Sequence, residues 1–582
     1  MKTITRLLLA SVAFLASGLS ANAETFVFNG IEVNSIELKG SIVPAGTTLD
    51  YMGDGVWRST VNLSKFGSNE YPGRYFYFTL NGDDSKALRR IVCTDDIRLD
   101  TGQGLENIRL NNGIYDITLD LNNLTYGIEG DLDPMKVSVF GSSVANGQGA
   151  DSFHGYAYLY GEQLKERNAS GISPNALYTS GVSIGGNTTT ALKNRYIDIL
   201  HDFGKYVIIG LSMANEGLPS SSDKQAVFNQ FRENMLSLIS SLREDGKTVV
   251  VMNNYTNSDY GPADYEKIKA INLLIHEWDV PSFNTLGAID DGSGHWASGY
   301  MADGWHPNNA GHQEFMYAMV PSLFDALIQD KPLPVRDRSQ SIVLGKGETI
   351  EITPEGVLHP FTLALRLNVT SPGKILSFNQ GTGRLASTPT LFVDENGVLN
   401  YARSASSNPV STGINILDGE WHDVALSHYY ARGMTKIYVD GKEVGSSPEN
   451  INFKSSFIIG DKDNYSALEL GELFLWRAAM NEEEMAALSS GSMLKSSLEI
   501  YAPMMVDAEG TIPNLAQSTN TIRYNAVPGN NDSEDSGIHS LFIQEYPAKE
   551  GYIDLFGTQV SSPVHGKIYI RQSGSTFEKI IY

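Results

Sequence analysis

The sequence predicts an α/β domain flanked by two all-β domains, and three observations carry that reading. Residues 24–130 alternate apolar and polar positions between Gly, Asn and Asp turns, as in "YFYFTL" and "YDITLDLNNLTYGIEG". That is the period of half-buried strands. Residues 134–330 carry near-continuous apolar runs instead, "KVSVF", "KYVIIGLS" and "KTVVVMNN", with helical patterns between them. Such runs are strands buried on both faces, and strand–helix–strand order implies a parallel sheet covered by helices on both sides. Residues 340–500 return to alternating strands such as "FTLALRLNV" and "TKIYVDGKEV".

The chain opens with basic Lys2 and Arg6, the apolar run "LLLASVAFLA", and the small-residue site Ala21-Asn22-Ala23. This is the pattern of an export signal over residues 1–23, leaving a mature chain that starts at Glu24. The run is shorter than the roughly 20 residues needed to span a bilayer. An exported protein, periplasmic or extracellular and without membrane insertion, is expected.

The formal charge is −24 over 582 residues. A surface of that sign argues against nucleic acid and anionic membranes as partners. Cys93 is the only cysteine, so no internal disulfide framework exists, and a small buried apolar role is expected for it. The 11 histidines include no H-x-x-E-H or similar cluster. No metal and no cofactor are expected. The oligomeric state is not legible.

Residues 24–130 fit a β-sandwich of about 100 residues. Trp57 has a face that suits a sugar ring, but core packing is its simpler place. In the α/β region, Val227, Phe228, Phe231, Met235, Leu238, Ile239 and Leu242 recur at helical spacing across 223–245. Ser222 and Gln225 suit a capping box, and Asp245-Gly246 a stop. "DKPLPVRD", from Asp330, reads as a linker. Residues 501–582 read as a β-rich tail.

The chemistry begins at "FGSS", residues 140–143, where the first buried strand ends. Ligands of parallel sheets bind beyond the carboxyl ends of the strands, so a serine there is raised into a crevice. Alone, such a serine more often caps a helix. Serine needs a base to become a nucleophile, and the base needs an orienting carboxylate. "ADGWHPNNAGH" supplies Asp303 and His306, three residues apart, with Pro307 suited to a first helical turn. "SIGGNTT" and "MANEG" each follow a strand-like run. Gly186 offers a backbone N–H and Asn215 a side-chain amide to the oxyanion of a tetrahedral intermediate, where one donor contributes roughly 3–4 kcal/mol. Taken singly, each is equally a turn.

In this order the four blocks resemble the SGNH hydrolase family, the GDSL esterases, over residues 134–330. The resemblance puts Ser143 at the nucleophile position, Gly186 and Asn215 at the oxyanion donors, and Asp303 and His306 at the acid and base. Two positions depart from the family pattern: the usual Gly-Asp-Ser is Gly141-Ser142-Ser143, and the usual Asn-Asp is Asn215-Glu216. The resemblance implies a flavodoxin-like three-layer α/β/α fold and hydrolysis of esters, thioesters, or lipid or glycan acyl groups. Fold alone does not choose among these.

Residues 419–445 resemble a laminin-G-like or concanavalin-like jelly roll through Trp421, His422, Tyr438, Asp440 and Gly441. Such domains bind glycans or act as spacers, and core packing is the plainer reading of Trp421 and His422. The N-terminal domain and the tail are similar to modules of secreted Bacteroidetes proteins. Together these features predict a secreted serine esterase that removes acetyl or other small acyl groups from a polysaccharide or oligosaccharide. The alternatives are a lipid esterase or lysophospholipase, and a non-catalytic glycan-binding protein.

Overall fold

The structure is a computed structural model. It describes residues 26–64, 74–91, 97–111, 113–379, 388–452, 455–507 and 510–525, and the backbone of strands at 551–553, 559–560, 568–573 and 576–581. The export segment and Cys93 lie outside the described residues. Among the described residues no helix is long and apolar enough to cross a membrane.

The chain divides into two compact units. The first spans residues up to Asp131 together with Asn194–Phe203. Among the described residues, nine of its strands form one antiparallel sheet, and Phe26–Phe28 and Ile31–Val33 pair as a separate two-stranded hairpin. Alternation decides which residues face inward: strand Gly113–Asp120 buries Tyr115, Ile117 and Leu119. The two ends of the sheet meet, because the Leu99 N–H donates to the Leu124 carbonyl at 2.7 Å and the Tyr126 N–H to the Ile97 carbonyl at 3.1 Å. One apolar core holding Phe76, Phe78, Leu88 and Ile117 results. Trp57 belongs to it, 4% exposed, and offers no face to a sugar. Segment 194–203 joins this unit through buried charge. Asp198 pairs with Arg90 and with Arg195, and Asn111 bonds Asp202.

The second unit holds Leu132–Lys193 and Gly204–Tyr582. Its parallel sheet has five strands: β1 (Asp133–Gly141), β2 (Tyr178–Gly181), β3 (Gly204–Gly210), β4 (Thr248–Met252) and β5 (Ser282–Phe283), in the order β2-β1-β3-β4-β5. Helices α1 (Tyr156–Ala169), α2 (Thr189–Asn194), α3 (Lys224–Glu244), α4 (Pro262–Glu277) and α5 (Asn309–Tyr317) connect and cover it. This is the flavodoxin-like three-layer arrangement. Helix α3 buries Phe228, Phe231, Met235, Leu238, Ile239 and Leu242 of the stripe its spacing predicts, while Val227, at the edge of that stripe, is only half-buried. Its cap is Asp223, not Ser222: the carboxylate accepts the Ala226 N–H at 2.9 Å. An anion there also complements the positive end of the helix.

The C-terminal region is a sandwich of two seven-stranded sheets. Leu363, Leu365 and Leu426 of one face Phe378, Leu391 and Phe457 of the other. Strands Leu498–Ala502 and Ile522–Asn525 pair into these sheets, so the sandwich reaches Asn525. Strands Gly551–Ile553, Gln559–Val560, Ile568–Ser573 and Thr576–Ile581 form a separate four-stranded antiparallel sheet.

"DKPLPVRD" is a docked strap, not a free linker. Both nitrogens of a guanidinium fork on Arg336 donate to the fully buried Glu472 carboxylate at 2.8 Å, and Arg338 adds a third bond at 3.0 Å. The α/β domain and the sandwich meet through buried polar groups. Arg477, fully buried, donates to the Tyr317 carbonyl at 2.8 Å and pairs with Glu499. His276 accepts the Ser496 N–H at 3.0 Å on Nδ1, so Nε2 carries the proton it donates to Glu484 at 3.0 Å. His359 reaches Glu314 of α5 at 2.9 Å.

Candidate active site

In the order β2-β1-β3 the first strand lies between the second and the third. The crevice beyond its carboxyl end is therefore the place where a ligand fits this fold. Gly141 closes β1 tightly against β3: a Cβ there would stand 2.1 Å from the Gly210 carbonyl oxygen. The chain then turns and presents Ser143.

Ser143 Oγ lies 3.0 Å from His306 Nε2. His306 Nδ1 lies 2.9 Å from each carboxylate oxygen of Asp303, to which it donates. Asp303 also accepts the backbone N–H groups of Trp305 at 2.8 Å and His306 at 2.9 Å. Partial burial works against the Asp303 charge, but the His306 bond and these two N–H groups outweigh it and hold the carboxyl below its usual range. The orienting group is thus ionised, as holding an imidazole N–H requires. Ser142, by contrast, is fully buried, with its N–H on the Gly210 carbonyl at 3.3 Å. Asp290 is bound to the Tyr265 hydroxyl at 2.6 Å, and Asp291 to the Ser293 N–H at 2.7 Å, so both are engaged away from His306.

The helix after His306 begins later than Pro307 suggests. α5 starts at Asn309, capped by Asn308, whose side chain accepts the Gly311 N–H at 3.0 Å. Pro307 precedes the cap, and its fixed φ stiffens the turn that aims His306.

Gly186 sits in the turn Ile184–Asn187, closed by the Asn187 N–H on the Ile184 carbonyl at 3.3 Å. Its φ of +76° is the left-handed conformation that favours glycine at this turn position. The turn passes beside the nucleophile position, since a Cβ on Gly185 would lie 3.6 Å from Ser143 Cβ. Among the described residues, the backbone N–H groups of Gly186 and Ser143 make no hydrogen bond, which leaves them available as donors. Asn215 lies in the turn after β3, its N–H on the Ser212 carbonyl at 3.1 Å. Its side chain is half-buried and makes no hydrogen bond among the described residues.

Sequence reasoning passed over several neighbours. His312 is buried; it donates from Nε2 to the Gln148 carbonyl at 2.9 Å and accepts the Tyr156 N–H on Nδ1 at 3.2 Å. Burial, joined by the nearby His306, pushes its pKa down to about 4. The Gln148 side chain reaches over the same turn, its Oε1 3.6 Å from the Gly185 Cβ position. Trp305, between Asp303 and His306, is 40% exposed. His312 was visible in "HPNNAGH", but nothing in the spacing separates a pinning histidine from an incidental one.

In the sandwich, Trp421 carries the Arg366 guanidinium 4.8 Å over its ring. His422 lies between Asp440 at 2.9 Å and Asp418 at 3.1 Å. Burial opposes its charge, and the two carboxylates more than restore it, raising the pKa.

Residues 139–314 match the GDSL-like Lipase/Acylhydrolase family, and residues 344–486 match the Concanavalin A-like lectin/glucanases superfamily. The chain thus contains a GDSL/SGNH hydrolase domain followed by a concanavalin-like laminin G domain. A search of curated proteins finds no match. Similar solved structures include an acetylxylan esterase from Geobacillus stearothermophilus (17% identity, 32% of this chain and 91% of that chain, TM-score 0.27). Another is an alpha/beta hydrolase enzyme from the metagenome of Lake Arreo, Spain (20% identity, 32% and 92%, TM-score 0.26). A third is the heptameric SAP-like pentraxin from Limulus polyphemus (15% identity, 33% and 96%, TM-score 0.25).

Proposed function

We propose that this SGNH hydrolase is an exported serine esterase that removes acetyl or other small acyl groups from a polysaccharide or oligosaccharide. The observation that carries the reading is the unbroken chain Asp303–His306–Ser143 beyond the end of β1. His306 Nε2 takes the Ser143 proton as Oγ attacks the ester carbonyl. Asp303 holds the Nδ1 proton and balances the imidazolium that forms. The oxyanion accepts from the Gly186 and Ser143 N–H groups and from the Asn215 amide. As the tetrahedral intermediate collapses, His306 returns the proton to the leaving alcohol. Water then repeats the cycle on the acyl-enzyme.

Support for a sugar on the alcohol side comes from Trp305. It directly precedes the base in the chain and is 40% exposed, and an aromatic face suits the apolar face of a pyranose while its N–H serves the polar rim. Export rests on the pattern of residues 1–23.

A fluorophosphonate probe tests the nucleophile. Labelling at Ser143 is expected, and folded protein that stays unlabelled overturns the enzyme reading in favour of a glycan binder. Acetylated xylan against a lysophospholipid then tests the substrate class. Turnover of the lysophospholipid alone overturns the carbohydrate assignment.

A further inference from the structure

The departure from Asn-Asp to Asn215-Glu216 has a physical counterpart. Glu216 Oε1 accepts the backbone N–H of Thr189, the first residue of α2. Thr189 stands three residues after Gly186, and Glu216 directly follows Asn215. The bond therefore ties together the two loops that carry the proposed oxyanion donors.

Both ends of the tie are themselves fixed. Thr189 is fully buried, and its Oγ1 accepts from Asn234 of α3 at 3.0 Å. The loop of Asn215 is held from behind, where the Met213 N–H donates to Asn254 Oδ1 at 2.6 Å and the Asn254 N–H donates to Asn272 Oδ1 at 2.8 Å. Burial raises the pKa of Glu216 and the Thr189 bond opposes the shift. Whatever its protonation state, Oε1 remains an acceptor. The Thr189 N–H, at the start of α2 on a fully buried residue, has the carboxyl as its partner, and a buried donor left without one is costly.

We propose that Glu216 is a positioning residue that clamps the Gly186 turn to the Asn215 turn and so fixes the spacing of the oxyanion donors. The proposal rests on the reading of Ser143, Gly186 and Asn215 given above. Glu216 touches no reacting atom. Its effect lies in the transition state, where donors must meet an oxygen that moves as the carbonyl becomes tetrahedral.

The test uses the full chain with p-nitrophenyl acetate and two substitutions of similar length. Glu216→Gln keeps an oxygen acceptor, and Glu216→Met removes it. Glu216→Gln should keep kcat within about twofold. Glu216→Met should lower kcat about tenfold to hundredfold with KM little changed, the response to misplaced groups that act in the transition state. Tm measured on each variant separates this from unfolding, since a loss of kcat that only tracks the folded fraction overturns the clamp. So does Glu216→Met at wild-type kcat, or an equal loss in both variants. Ser143→Ala is the control. If it stays active, the reading of the whole site falls and the clamp with it. If it is inactive while Glu216→Met is not, the clamp alone falls.

Discussion

Ser143 Oγ and His306 Nε2 stand 3.0 Å apart, although 163 residues separate them in the chain. The serine beside it, Ser142, is fully buried. Ser143→Ala should therefore abolish ester hydrolysis with little change in Tm, while Ser142→Ala should retain most activity. Measuring kcat and Tm of both variants checks this, and equal losses would point to the other serine.

His306→Ala should be as damaging as Ser143→Ala, and the double variant no worse, because such groups act as a unit. Asp303→Asn should also lose activity, about four orders of magnitude where the amide leaves imidazole in the wrong tautomer. Asp290 and Asp291 are committed to Tyr265 and Ser293 and offer no substitute. Near-wild-type kcat/KM in Asp303→Asn would refute this assignment.

Deleting residues 340–582 should lower activity on a small acetyl ester and on acetylated polysaccharide alike. A tethered binding module would instead lower only the second. The difference follows from the interface. Deletion strips His276, Ser282 and Asn284 of the partners Glu484, Ser496 and Ser497. A single change probes the same contact: Arg477→Met leaves Glu499 buried without its cation and should cost about 3–5 kcal/mol in denaturant unfolding. Wild-type turnover of the small ester by the truncated chain would refute the structural role.

His312 should make stability fall in mild acid. Its folded pKa of about 4 is below the ordinary 6.5. Between those values the unfolded chain binds a proton that the folded chain refuses, so stability is full above about 6.5 and declines as pH falls toward 4. A charged imidazole would lose the Nδ1 lone pair that accepts the Tyr156 N–H. The effect is on the order of 3 kcal/mol. Urea unfolding of wild type and His312→Gln at pH 7 and pH 5 checks it. The variant should show the smaller drop, and parallel drops would refute the assignment.

If the exposed Trp305 indole receives the sugar as proposed, Trp305→Ala should raise KM for an acetylated oligosaccharide several-fold and leave p-nitrophenyl acetate turnover nearly unchanged. Initial rates on both substrates decide it. An equal effect on both would mean that Trp305 shapes the Asp303 loop instead.

The sequence by itself determined what local patterning can determine. Continuous apolar runs marked β1, β3 and β4 as strands buried on both faces, and a 3.6-residue stripe marked α3. The spacing of Asp303 and His306 put carboxylate and imidazole on one turn, since three residues are enough for a side chain to reach back. The choice of Ser143 over Ser142 came from the family pattern alone, because the two are chemically equal in a linear chain and differ only in what the fold sets against them: Ser143 meets His306 and Ser142 is fully buried. Tertiary structure decided the relations between distant segments. It placed Ser143 against His306 and Glu216 against Thr189. It also brought residues 194–203 out of the α/β domain to meet Arg90, and turned "DKPLPVRD" from a polar, proline-bearing linker into a strap on Glu472. A lone buried arginine or carboxylate has no sequence signature, because its burial depends on a partner whose position is set only when the chain has packed.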